Sequence, residues 1–313
     1  MMTSSPFLML AALGLAWGAD LSAEEGPSPQ GTRRALIICG HPGDAEHQAL
    51  FADAVTNLRR GLTENFDFAE DQISVMFGVD PEEPQTLDFP TAGPATSEAL
   101  SAAVAELRRI LRPEDALWVI VLGHSHFDGR MVSINLPGPD VHQEDFGRLF
   151  RDLPSREQVF WLSFPASGYC LKPLAARGRV VISATEADLE VNATLMAFAL
   201  AEELLPTAEH PAADVDQDGL LTLRDLYLAV ARNTVQRYLA EMLIVTEHAL
   251  LDDNGDGRGT ELQRDYLTEE EGGRKRAGFK PTRQPGGDGT LAGAISLPLS
   301  PVSALSALRI PRE

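Results

Sequence analysis

Five short apolar runs alternate with longer segments of helical period between residues 33 and 205, and this alternation limits the fold more than any motif does. The runs are ALIICG (35–40), QISVMFG (72–78), ALWVIVLG (116–123), QVFWLSF (158–164) and RVVISATE (179–186). Between the first two, EHQALFADAVTNLRRGL (46–62) sets Leu50, Phe51, Ala54, Val55, Leu58 and Leu62 on one helical face. Thr96 or Ser97 can cap a second helix that carries Leu100, Val104, Leu107 and Leu111 inward. A short helix is expected near 144–153 and another over 193–205. Strands apolar on both faces, spaced by amphipathic helices, describe a mostly parallel sheet covered on both sides, an α/β fold. In such sheets ligands and chemistry collect at the carboxyl edge of the strands.

Charge narrows the partners. The 313 residues carry a formal net charge of -20, which opposes binding to phosphate backbones and to anionic membrane surfaces, so nucleic acid is not an expected partner and cations are. Residues 1–23 read as a secretory signal peptide: Pro6 to Gly18 is apolar, and small residues follow at Gly18, Ala19 and Ala23. No later run approaches the roughly 20 apolar residues needed to span a bilayer. The expectation is an exported protein, secreted or periplasmic, with no membrane span after signal removal. Cys39 and Cys170 are the only cysteines, which excludes a disulfide scaffold and leaves one bridge open.

The strand at 116–123 runs straight into H-S-H-F-D, so that on an extended chain His124, His126 and Asp128 share one face. Three metal ligands would be arranged this way, yet no H-x-x-H or H-x-x-x-H supplies more, and the hydrolase pattern H-x-H-x-D-H ends here on Gly129. HPGDAEH at 41–47 breaks the H-P-D-D-E spacing that lets adjacent acids share one ion. His126 and Asp128 are therefore read as polar loop residues. His124 remains either a general base or a buried imidazole bonded to backbone. For phosphate cofactors the chain offers neither G-x-G-x-x-G nor a Walker loop.

Three blocks in order carry a family resemblance: ALIICGHPGDAEHQAL through His47, Gln48 and Ala49, VIVLGHSH through His124, and LSFPASGYC through Ser167 and Gly168. Over about residues 33–205 the chain resembles the legumain-like and caspase-like cysteine peptidases. There a first strand is followed by R-H-Q-A-D, a later strand ends in a catalytic H-G, and the next ends in A-C-E-S-G. The alternation of elements and the short crossover between them predict that 116–123 and 158–164 are parallel neighbours, with His124 and Pro165 at one edge, and the resemblance implies a caspase-like sheet. It also implies that the catalytic cysteine falls on Pro165, which has no nucleophilic atom. Sliding the match by two positions places it on Ser167, a hydroxyl that His124 could activate. Cys170, at the start of an expected helix where partial positive charge favours thiolate, is the other candidate nucleophile; an ordinary packed cysteine is its alternative reading. Ser125 replaces the glycine whose amide helps form the family's oxyanion hole, and Glu46 stands where its specificity arginine would be.

A second kind of signal follows the α/β pattern. DVDQDGLLTLRD (214–225) fits an EF-hand calcium loop: Asp214, Asp216 and Asp218 supply carboxylates, Gly219 the sharp turn, Leu220 a carbonyl, Thr222 the ninth position and Asp225 the twelfth. Pro206 and Pro211 interrupt the entering helix, and the exiting helix is expected over 222–240. DDNGDGRGTELQ (252–263) repeats the idea with Asp252, Asn254 and Asp256, and Glu261 substitutes for the absent acid at the twelfth position; a capped acidic turn is the alternative. The expected organisation is a signal peptide (1–23), an α/β domain (33–206), a small α-helical EF-hand-like unit (207–266) and a flexible tail (267–313). These readings combine into an exported calcium-binding protein whose caspase-like domain has lost its nucleophile and binds a peptide or protein at the strand-edge cleft. The alternative is an active peptidase using His124 with Cys170, or with Ser167.

Overall fold

The structure, a computed structural model, describes residues 31–79, 87–207, 212–274 and 287–298, so the signal-peptide segment 1–23 lies outside the described residues. Along the chain run β1 (Arg33–Cys39), α1 (Ala45–Asn65), β2 (Ile73–Phe77), β3 (Gly93–Pro94), α2 (Ser97–Ile110) and β4 (Ala116–Leu122). Then come β5 (Ser125–Phe127), β6 (Val132–Ile134), β7 (Val141–His142), α3 (Gln143–Leu149), β8 (Glu157–Ser163), α4 (Leu171–Leu174) and β9 (Arg179–Ser183). The last elements are α5 (Met196–Glu203), α6 (Leu223–Ala240), β10 (Leu250–Asp252) and α7 (Gln263–Tyr266). The main sheet has the order β10-β9-β8-β4-β1-β2-β3, parallel throughout except for β10, which runs antiparallel to β9.

Alternation along each strand explains the layers. Trp118, Ile120 and Leu122 of β4 point to one face and pack with Phe51, Val55 and Leu58 of α1, Leu200 of α5 and Tyr227 of α6. Leu117, Val119 and Val121 point to the other and meet Leu100 and Val104 of α2 and Phe146 of α3. All seven β4 residues are buried, as a strand covered on both sides must be. Each large apolar side chain buried in this way contributes about 1.5–3 kcal/mol relative to exposure. Asp44 starts α1 by accepting from the His47 amide, and Thr96 starts α2 by accepting from that of Ala99.

The register positions the edge. Leu122 of β4 lies opposite Ser163 of β8 in a parallel pair, so His124 and Pro165 leave the sheet side by side, as expected. Two regions differ from the sequence reading. The segment expected as a separate EF-hand-like unit shares the main core: Leu223, Tyr227 and Val230 of α6 lie in the same apolar cluster as α1 and α5. Its second loop begins on the edge strand β10 rather than on a helix, and is followed by the four-residue α7. A strand of three residues carries too little periodicity to announce itself in sequence.

Residues 287–298, in the stretch expected as a flexible tail, are packed. The Leu223 amide donates to the Ile295 carbonyl, that of Leu297 donates to Leu221, and Ala292 is fully buried. The reason is tertiary: this segment lies against the start of α6 and has no period of its own. Residues 275–286 and 299–313 lie outside the described residues. Among the described residues, no helix is long and apolar enough to cross a membrane.

Candidate functional site

His124 sits at the carboxyl edge of β4, on the face covered by α1. Its Nε2 lies 3.0 Å from the Pro42 carbonyl oxygen. A carbonyl only accepts, so Nε2 carries the proton and donates, leaving Nδ1 as the acceptor. The ring packs edge-on against His47 at 4.9 Å and against Phe51 at 5.5 Å between centroids. Burial, together with the neighbouring His47, pushes its pKa below the ordinary histidine value, which favours the neutral imidazole. His47 is in turn held by the Asp44 carboxylate at 2.8 Å from Nδ1.

Opposite His124, the position matched to the catalytic cysteine carries no nucleophile, and the only unpaired hydroxyl among the described residues at this strand end is the buried Ser163, two residues earlier on β8. Pro165 is buried, and its carbonyl accepts the Ser125 hydroxyl at 2.6 Å, which ties the two strand ends together. Ala166 adopts a left-handed backbone, φ 54, and donates its amide to the Glu190 carbonyl. Ser167 is buried, and its Oγ accepts from the amides of Ala184 at 3.1 Å and Thr185 at 3.3 Å. That hydroxyl secures the turn after β9.

Cys170 is fully buried in the apolar cluster on the opposite face of the sheet from His124, among Phe146, Leu171 and Leu174. Burial drives its thiol pKa far up, away from thiolate. The helix start that favoured thiolate in sequence is a four-residue turn sealed from water. Cys39 lies in the cluster on the α1 face, and both cysteines are free, so the sheet separates the two thiols that a bridge would need together. Glu46 is exposed on the first turn of α1, and His126 is exposed on β5. Asp128 accepts from the Arg130 and Met131 amides, as a polar loop residue does. A cleft of about 790 Å³ opens at this edge on the α2 side, lined by His41, Ser97, Ser101, Leu136 and Pro139.

The first acidic loop is only partly arranged as the pattern predicts. Among the described residues, Asp214, Asp216 and Asp218 are the one group of three His, Cys, Asp or Glu side chains whose ligand atoms all lie within 4.8 Å of one another. Leu220 is 57% exposed. Thr222 and Asp225 are engaged elsewhere. Asp225 accepts from the Thr222 amide at 2.9 Å and hydroxyl at 2.8 Å, and from the amides of Val215 and Asp216. It is the third residue of α6 and closes a capping box. Burial raises its pKa against these bonds.

Sequence reasoning missed Arg224. Its side chain is 1 % exposed and forms ion pairs with Asp216 and, at 2.9 Å, with Asp218. A third guanidinium nitrogen donates to the Gly289 carbonyl at 3.1 Å. The signal was present, since a lone basic residue stands at the eleventh position of an acidic loop and can turn back over it.

In the second loop Asp252 accepts from the amides of Gly255 at 2.9 Å and Gly257 at 2.8 Å, both glycines having positive φ. Asn254 and Asp256 close similar turns on the Asp256 and Arg258 amides. Glu261, expected as the substitute ligand, pairs with Arg264. In its place Asp288 arrives from the C-terminal segment, accepting from Thr260 Oγ1 and, at 3.3 Å, from the Asp253 amide. Burial and repulsion from Asp288 and Asp256 raise the Asp252 pKa to about 6. Nothing local in the sequence marks Asp288, which lies far along the chain.

No family model matches this chain, and no curated protein does. Among solved structures, caspase-1 from Spodoptera frugiperda superposes with a TM-score of 0.45 at 11% sequence identity, covering 71% of this chain and 86% of that one. A likeness of that degree carries no statement about activity. What the chain's own strands establish is its class: an α/β protein with a mostly parallel sheet between helices, His124 and Pro165 at one edge, and acidic loops packed onto the same core.

Proposed function

We propose that the protein is an exported calcium-binding protein whose α/β domain, caspase-like in the order of its blocks, has lost peptidase activity and serves a binding role at the strand edge. The observation that carries the calcium reading is the convergence of Asp214, Asp216 and Asp218, because a hard cation selects clustered oxygen ligands. Asp225 and Thr222 are committed to capping α6, so the ion is held by the three carboxylates, the Leu220 carbonyl and water, in competition with Arg224. Few ligands and a competing guanidinium make a weak site, in the range of about 10⁻⁴–10⁻³ M that suits calcium-rich extracellular fluid. The second loop, with Asp252, Asn254 and Asp256, is the partner site. Loss of peptidase activity rests on the chemistry at the edge: with Pro165 at the matched position, Ser167 bonded to backbone amides and Cys170 on the other face of the sheet, the general base has no candidate nucleophile in place to form an acyl-enzyme.

The deciding measurement is thermal unfolding of the full chain with millimolar calcium or with a chelator, for the wild type and Asp216→Ala. An ion that binds only the folded state raises the melting temperature by mass action, so the wild type shifts further than the variant, which keeps only the contribution of the second loop. An equal shift in both sinks the first loop as the site. For the edge, incubation with a mixed peptide library should give no cleavage, with or without calcium. Cleavage abolished by both His124→Ala and Cys170→Ala would restore the active-peptidase reading.

A further inference from the structure

Large apolar side chains are exposed on two loops that are fastened to each other at the outer end of the strand edge. On the loop after β9, Leu189 is 79% exposed and Val191 51%. On the loop after α6, Met242 is 92%, Leu243 50% and Ile244 85% exposed. The fastening is explicit: Asn192 donates to the Thr246 hydroxyl at 3.2 Å, and Glu190 pairs with the His248 ring. The buried Glu247 carboxylate accepts from the Leu195 and Met196 amides at the start of α5 and from the Tyr238 hydroxyl. Loops held this firmly display their apolar side chains rather than shed them into a core.

Met242 adds an independent observation. It takes a left-handed backbone, φ 57, directly after the C-cap of α6, a position where glycine or asparagine is favoured and an ordinary side chain is strained. Its neighbour Leu243 donates its amide to the Tyr238 carbonyl to close the helix end. Strain that places a long apolar side chain almost wholly in water points to a contact made outside the chain. Beside the patch, Val235, Val245 and Ala231 line a cavity of about 130 Å³, enough to seat one apolar side chain.

Charge decides among occupants. No lysine or arginine occurs from Val180 to Leu223 or from Tyr238 to Gly257, while Glu186, Asp188 and Glu241 flank the exposed side chains. An anionic membrane surface would be repelled by this rim, since interfacial anchors carry basic residues around their apolar face. A second copy would set two acidic rims against each other across a two-fold axis. We infer that the surface formed by Leu189, Val191, Met242, Leu243 and Ile244 docks a cationic, amphipathic segment of another polypeptide, its apolar side chains on the patch and its lysines or arginines on the acidic rim. This surface is separate from the carboxylates of the calcium loops and goes beyond the calcium reading.

The test uses the full chain and a fluorescent peptide, roughly 18 residues long, built from leucine and lysine at helical spacing. Controls are a leucine–glutamate peptide and a lysine–serine peptide of the same charge. At about 0.15 M salt, where long-range attraction is screened, fluorescence anisotropy should show binding of the leucine–lysine peptide alone. Met242→Ser with Ile244→Ser should weaken it about tenfold or more, since two apolar contacts are lost. Ile244→Lys should weaken it further. The replaced side chains are exposed, and an unchanged circular-dichroism melt confirms that the variants fold. Equal binding by wild type and variants, or equal binding of the lysine–serine peptide, overturns the proposal. So does concentration-dependent dimerisation lost in the variants, which would make the occupant a second copy, or sedimentation with anionic vesicles.

Discussion

The two acidic loops share aspartate at their first and fifth positions, glycine at the sixth and threonine at the ninth, and they are opposite in electrostatics. In the first, Arg224 is buried against Asp216 and Asp218, so the chain supplies its own cation. In the second, Glu261 has taken Arg264, and Asp288 brings a further carboxylate towards Asp252 and Asp256. There the pKa values of Asp252, Asp253 and Asp288 are all raised, with burial as the first cause and mutual repulsion adding to it. Spacing alone ranks the first loop higher as a calcium site. Ion pairing with Arg224 offsets that advantage, because an ion entering the first loop must compete with a guanidinium and one entering the second relieves repulsion.

The sharpest way to break this comparison is Arg224→Leu. Removing one partner from a buried ion pair leaves uncompensated charge and costs about 3–5 kcal/mol. Urea unfolding in chelator should show that loss. Calcium should recover part of it, so the calcium-induced rise in midpoint becomes larger in the variant than in the wild type. A variant as stable as wild type in chelator would mean that Arg224 does not neutralise the loop.

The second prediction concerns pH without calcium. Asp252 rises from its ordinary 3.8 to about 6 in the folded chain, and Glu247, buried at the start of α5, rises from 4.5 to about 7 with burial as the first cause. A carboxyl group whose folded pKa is raised binds its proton more tightly when folded. Its contribution is therefore complete below the unfolded value and disappears as pH climbs through the folded one. Stability in chelator should fall from about pH 4 to pH 7, Asp252 contributing up to about pH 6 and Glu247 from its ordinary 4.5 to about 7. Asp288→Asn removes one repelling charge and should flatten the fall below pH 6 while leaving the Glu247 part between pH 6 and 7. A slope unchanged by Asp288→Asn would separate Asp288 from the Asp252 carboxylate.

What sequence could disclose follows the range of the interactions. The α/β class and the pairing of 116–123 with 158–164 were legible because apolar periodicity is local and parallel strands need covering helices. The meeting of His124 and Pro165 was legible from the same alternation and the short crossover between the two strands. The fate of the candidate nucleophiles was not. Whether Cys170 faces His124 depends on which side of the sheet its turn lands, and Ser167 is consumed by amides of Ala184 and Thr185 that belong to another strand end. Asp288 was invisible for the same reason, reaching the second loop from a segment with no period. Arg224 was visible but unweighed, since a loop pattern counts oxygens and ignores a cation that folds back onto them.

The smallest expected effect tests whether the end of the first loop is a ligand or a cap. Thr222 and Asp225 occupy the ninth and twelfth positions of the calcium pattern, yet their oxygens are spent on one another and on the amides that begin α6. Thr222→Ala removes the hydroxyl and leaves the Asp225 carboxylate with its backbone donors, a change of the kind that costs about 1 kcal/mol at a helix start. The melting temperature should drop by that small amount in calcium and in chelator alike. A calcium ligand would behave differently, with the loss confined to the calcium-loaded protein and the variant matching wild type in chelator. That pattern would return Thr222 to the coordination sphere and make the first loop a fuller calcium site than its Arg224 clasp suggests. Equal losses in both conditions assign Thr222 to α6 and leave the three aspartates as the loop's ion-facing groups.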